Sequence, residues 1–102
     1  MSGHKFGLSP AQWSILQKNL IRPLKDHQCH VWVFGSRATG NHRPFSDIDI
    51  LYQPSSTLPE HLIGAIEENM ELSALPIKVD LVSNEDLAES YRDTVEKQKI
   101  EI

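Results

Sequence analysis

The 102-residue chain has no apolar run near the ~20 residues that would span a bilayer, so no membrane partner is expected. It has one cysteine, Cys29, which excludes an internal disulfide. Its start, Met1-Ser2-Gly3-His4-Lys5, carries no apolar signal region. Together these features point to a reducing, cytoplasmic setting. Positive charge is also scarce: ten Lys and Arg stand against fourteen Asp and Glu, for a net charge of −4 with His neutral. Long duplex DNA or RNA needs a basic face, so the acidic balance argues against it as the main partner. It does not exclude a single nucleotide in a locally basic pocket. There is no internal repeat or low-complexity tract. Hydrophobic residues make up 39%, enough for the packed core of one domain at this length.

Residues 1–8 read as a loose leader and 9–102 as the domain. Ser9-Pro10 has the form of a helix start, with Ser9 as N-cap and Pro10 at the first helical position. Trp13, Leu16, Leu20 and Leu24 then recur at helical spacing. Pro23 is expected to kink or end this helix. His30 to Phe34 is rich in β-branched and aromatic residues and reads as a strand that stops at Gly35-Ser36. A polar stretch follows from Arg37 to Pro44, with room for one helical turn. Asp47 to Tyr52 reads as a second strand. Thr57 and Glu60 have capping-box spacing ahead of a helix whose inner face is Leu62, Ile63, Ile66 and Met70. Ile77 to Val82 is the third strand. Ser83 is expected to cap a last helix with Leu87, Tyr91 and Val95 buried. Helices mixed with strands in so short a chain imply a small α/β (α+β) domain, a mixed sheet flanked by helices.

The chemistry concentrates in Phe34-Gly35-Ser36-Arg37-Ala38-Thr39-Gly40 and Ser46-Asp47-Ile48-Asp49-Ile50. Side chains alternate along a strand, so Asp47 and Asp49 share one face, roughly 6–7 Å apart. Ile48 and Ile50 point to the other face, into the core. On the third strand Lys78 and Asp80 would share a face, opposite Val79 and Leu81. If that strand pairs with the second, Asp80 joins the other two carboxylates. Paired carboxylates repel unless a cation lies between them, and all-oxygen donors suit Mg²⁺ completed by water and substrate phosphates. Three carboxylates can bridge two such ions for displacement at phosphorus. Gly35 lets the backbone approach a ligand closely, and a helical turn after it would aim N–H groups at an anion. The Ser36 hydroxyl adds a donor. Arg37, Arg43 and Lys78 are the candidates for local positive charge at phosphate.

The set Gly35-Ser36, ten residues, Asp47-x-Asp49, with Gly40 and Ser46 between and Asp80 after, resembles the nucleotidyltransferase superfamily that includes DNA polymerase beta. The short chain is similar to its minimal nucleotidyltransferase (MNT) family. The resemblance implies a short mixed sheet backed by helices. It implies Mg²⁺, as two ions, at Asp47, Asp49 and Asp80, and triphosphate contact at Gly35 and Ser36. It further implies a HEPN-domain protein as partner in a toxin–antitoxin hetero-oligomer, with AMP passed from ATP to a tyrosine of that partner and Asp80 placed to assist deprotonation. Adenylylation of a small molecule with a helical partner, and a binding-only antitoxin, stay open beside it. The five histidines lack zinc-site spacing, with His42 the one nearest the expected triphosphate. Trp13 and Trp32 read as core residues and Cys29 as a structural thiol.

Overall fold

Ser9 starts the first helix by a reciprocal cap. Its hydroxyl accepts from the Gln12 amide at 3.2 Å, and the Gln12 side chain accepts from the Ser9 amide at 2.9 Å. The computed structural model describes residues 6–43 and 45–102. Residues 1–5 of the expected leader, and Pro44 at the end of the expected polar stretch, lie outside the described residues. Residues 6–8 are not loose. Leu8 is fully buried in the core, and Phe6 packs on Trp13 with ring centroids 5.8 Å apart.

Helix α1 (Pro10–Leu16) runs into a π-helical turn (Gln17–Ile21) and then α2 (Arg22–Asp26). Pro23 neither ends the helix nor forces a break. Its ring would strike the carbonyl of Asn19 in a tight α-turn. The wider turn, with the Arg22 amide donating back to Gln17, makes room for it. Leu16, Leu20 and Leu24 all stay on the buried side.

The sheet contains β1 (Cys29–Phe34), β2 (Ile48–Pro54), β3 (Val79–Ser83) and β4 (Ile100–Glu101), in the order β3-β2-β1-β4. Strand β1 runs antiparallel to β2 and β4, while β2 and β3 are parallel. Parallel neighbours need a crossover, supplied by α4 (Leu62–Leu72). Val31, Val33, Ile48 and Ile50 form the core face of the sheet with Leu16, Leu20, Leu24, Ile66 and Met70. Leu51, on the opposite face, is also buried, as is Val95 of α5 (Glu89–Gln98). Past the end of α5, the Lys99 ammonium sits 4.3 Å from the Trp32 ring centroid on that second face. Among the described residues no helix is long and apolar enough to cross a membrane.

Three local expectations are corrected. Thr57 and Glu60 do not form a capping box. Helix α4 begins at Leu62 behind His61, whose side chain makes no cap, and the Leu62 amide closes a turn onto the Pro59 carbonyl. Ser83 caps a 3₁₀ turn (Asn84–Asp86) instead of the last helix, because Leu87 and Ala88 are extended. Tyr91 is 63% exposed, leaving Val95 as the buried contact of α5. Strand β4 was not foreseen, since two residues are too few to show a period of two.

Replacing Leu24, which is fully buried, by Ala is expected to cost about 2–5 kcal/mol in urea unfolding. Tyr91→Ser, at an exposed position, should change stability by about 0.5 kcal/mol or less.

Candidate functional site

Gly35 follows β1 with φ 76° and ψ −155°, a backbone conformation in which L side chains are strained. A Cβ there would also collide with Oδ2 of Asp49. Two independent constraints thus require glycine at this point. The single helical turn α3 (Ser36–Thr39) starts at once, with the Ala38 and Thr39 amides donating to the Gly35 carbonyl at 3.1 and 3.2 Å. Gly40 ends it in the left-handed region at φ 84°. The first N–H of so short a turn, at Ser36, has no intrahelical acceptor. With the Ser36 hydroxyl it puts donors at the end of β1.

The register brings the carboxylates to this same end. Phe34 is opposite Asp49 across the antiparallel pair, and Asp49 is beside Asp80 across the parallel one. Adjacent strands lie about 4.8 Å apart, so these two aspartates are immediate neighbours on one face. Asp47 precedes β2 by one residue and shares the alternation of Asp49. The Ile48 amide donates to the Lys78 carbonyl at 3.0 Å, extending the β2–β3 pairing to the residue after Asp47. Asp47 and Asp80 are exposed, and Asp49 is partly buried.

Burial raises the Asp49 carboxyl above its ordinary value, and the charges of Asp80 and then Asp47 push it further the same way. Asp49 therefore lies within electrostatic reach of both other acids. Among the described residues no group of three or more His, Cys, Asp or Glu forms a ready cage for an ion. Mg²⁺ takes one or two carboxylates and completes its shell with water and substrate phosphates. The donor set, all oxygen and next to the Gly35-Ser36 turn, fits a hard divalent cation shared with phosphate.

The basic candidates divide. Arg37 is 2% exposed and is not displayed to a phosphate. Its Nε and Nη2 donate to the Ser46 carbonyl at 3.1 and 2.8 Å, and its Nη1 to the Phe6 carbonyl at 2.9 Å. Burial lowers the guanidinium pKa from its ordinary value, and the charge of Asp47 opposes that shift. Its inward course corrects the expectation of a phosphate ligand: a guanidinium can satisfy several carbonyls at once, and the Asp47 loop needed an anchor. Arg43 and Lys78 remain exposed beside the site. The Arg43 amide donates to Ser46 Oγ at 2.8 Å. His42 is half-buried with its ring close to Gly7, and its Nδ1 has no hydrogen-bond partner among the described residues. The roles of Ser46 and of Gly7 were not read from the sequence. Both depend on a contact between distant segments, which no local motif signals.

The polymerase beta nucleotidyltransferase family model matches residues 18–102. The chain is 31% identical over 67 residues to the probable protein adenylyltransferase MntA of Haemophilus influenzae, covering 66% of this chain and 59% of that protein. It thus spans less than two thirds of that relative's length. Its fold is similar to a chain in a crystal structure of a toxin–antitoxin with AMP-PNP, with a TM-score of 0.63 and 25% identity over 83% of this chain and 70% of the other. A tri-AMPylated Shewanella oneidensis HEPN toxin in complex with MNT antitoxin gives a TM-score of 0.58 at 24% identity, over 88% and 70% of the two chains. At that identity the likeness is one of fold.

A folded state that holds the Asp49 proton above the ordinary value of 3.8 binds more protons than the unfolded chain across that window. Its contribution to stability is present below 3.8 and is lost as pH rises through the raised value. Asp49→Asn should therefore melt above the parent at pH 7 without divalent cations. The gap should close as the pH falls below the carboxylate range, as read by thermal melts across pH. Gly35→Ala should melt below the parent under all these conditions, with part of the loss recovered when Asp49→Ala removes the colliding oxygen.

Proposed function

Because the chain belongs to the polymerase beta nucleotidyltransferase family, we propose that it transfers AMP from ATP to a tyrosine of a HEPN-domain toxin and so serves as the antitoxin of the pair. The observation that carries this reading is the position of Asp49, packed over Gly35 and registered beside Asp80. It brings acidic groups together beside a turn whose donors suit phosphate. A relative named as a protein adenylyltransferase and a similar chain crystallised with AMP-PNP support the choice of nucleotide and acceptor.

In this reading the Gly35-Ser36 turn takes the β- and γ-phosphates, because its backbone is open to close approach and its hydroxyl and N–H groups are donors. Arg43 and Lys78 add long-range positive charge from the exposed rim. Asp47, Asp49 and Asp80 would hold Mg²⁺, as two ions, which when bound neutralises phosphate charge and stabilises the attacking and leaving oxygens. The tyrosine oxygen bonds to the α-phosphorus as the bond to the bridging oxygen of pyrophosphate breaks. The phenolic proton passes to the Asp80 carboxylate, the exposed one of the strand-registered pair. The partner's role is to hold the hydroxyl in line, about 3–3.5 Å from phosphorus. Cys29, buried and with its thiol raised by that burial, has no part in this chemistry and suits a reducing cytoplasm.

Incubation with ATP, Mg²⁺ and a purified HEPN-domain toxin should add one or more AMP masses to the toxin, by intact-mass measurement. Asp47→Asn should abolish the addition. An inhibited but unmodified toxin would instead mark a binding-only antitoxin, and labelled AMP on a small molecule would mark the other acceptor class. Calorimetry should show ATP binding tightened by Mg²⁺; equal affinity with and without it contradicts the assigned carboxylates.

A further inference from the structure

Asp47 belongs to no regular element, yet both peptide planes that flank it are held. The plane after it is fixed by the Ile48 amide, which donates to the Lys78 carbonyl at 3.0 Å. The plane before it contains the Ser46 carbonyl, and a peptide plane is rigid, so fixing that oxygen fixes the direction in which Asp47 leaves. The group that fixes it is Arg37, through Nε at 3.1 Å and Nη2 at 2.8 Å. The same guanidinium reaches the Phe6 carbonyl through Nη1 at 2.9 Å. Behind Phe6, Leu8 is fully buried, so this second acceptor is itself anchored. The loop ahead of Asp47 is closed further by the Ser46 amide to the Arg43 carbonyl at 3.0 Å and the Arg43 amide to Ser46 Oγ at 2.8 Å.

We propose that Arg37 is a positioning residue for the Asp47 carboxylate, bridging the segment at Phe6 to the peptide that launches Asp47, so that the N-terminal segment helps set affinity for the nucleotide-bound divalent cation. The proposal rests on the reading of Asp47 as a ligand in that site. The bonds to Ser46 and Phe6 act on backbone carbonyls, and the planar fork that makes them cannot be reproduced by a lysine ammonium. Gly7, at φ 77°, is the second component: a Cβ on it would drive into the His42 ring and against Arg37 Nη1. Glycine thus lets this segment approach the guanidinium closely in a backbone conformation that strains other residues.

The test reads two quantities, Mn²⁺ affinity in the presence of AMP-PNP, by electron paramagnetic resonance, and amide hydrogen exchange in the 41–47 loop. Arg37→Lys should weaken Mn²⁺ binding about 10–100-fold, the range typical of losing a group that orients a metal ligand. It should also strip exchange protection from the Arg43 and Ser46 amides while those of Val31, Val33 and Ile50 keep theirs. Gly7→Ala, which retains the guanidinium, should shift both readouts the same way by less. Parent-like Mn²⁺ affinity in a folded Arg37→Lys chain overturns the proposal. If that chain does not fold, a Gly7→Ala chain that matches the parent in either quantity overturns it. Failure of the parent itself to bind Mn²⁺ with AMP-PNP would instead count against the functional reading, and loop exchange would still report on what Arg37 holds.

Discussion

Asp49 can lie over the residue that follows β1 only because that residue is glycine, and much of the site follows from this contact. With any side chain at Gly35, the collision with Oδ2 would push the carboxylate off the turn or the turn off the sheet. With glycine there, the end of one strand, the start of its antiparallel neighbour and the start of a parallel third meet at a single edge. The antiparallel pairing places Phe34 opposite Asp49, and the parallel pairing places Asp80 beside it. A slip of one residue in either register would turn the acids toward the core and the isoleucines toward solvent. The fully buried Ile48 and Ile50 flanking Asp49 therefore lock the acids in place as a by-product of hydrophobic burial.

The arrangement carries a cost in the absence of a cation. Burial, Asp80 and Asp47 all push the Asp49 carboxyl toward its neutral form, so the charged state near neutrality is resisted. A chain selected for stability alone would place an amide or an apolar residue there. The rest of the fold contains the strain. The continuous leucine face from α1 to α2 survives Pro23 by widening into a π-helical turn, which keeps the core under the sheet intact. On the other face, Leu51 and Val95 are buried and Lys99 lies over Trp32, so the sheet is packed on both sides below the acids.

Much of this was legible in the sequence, for reasons that differ by element. The three carboxylates and the Gly35-Ser36 turn stood out because strand alternation assigns faces from sequence alone, and Ile48 and Ile50 left no doubt which face was inward. The Ser9 cap was legible because its bonds are local. Arg37 was misassigned because composition shows only that a cation is near a phosphate-type turn. Whether it points outward or binds the carbonyls of Phe6 and Ser46 depends on a contact 31 residues away in one direction and nine in the other. The Thr57 and Glu60 spacing was present without the cap, because a backbone turn from Pro59 closed the helix start first. Strand β4 and the packing of Leu8 were hidden for the same reason: each is defined by its partner, not by its own residues.

The central claim is that the end of the sheet formed by Gly35, Asp47, Asp49 and Asp80 is where a divalent cation and a nucleotide meet. The most direct measurement is paramagnetic broadening of backbone amide signals by trace Mn²⁺ in the presence of AMP-PNP. The signals of Gly35, Ser36, Asp47, Asp49 and Asp80 should vanish first, while those of Gln53, at the opposite end of β2, and Ser55 just beyond it stay sharp. Broadening that begins at the acidic face of α4, at Glu67, Glu68 and Glu71, and spares Asp49 would contradict it.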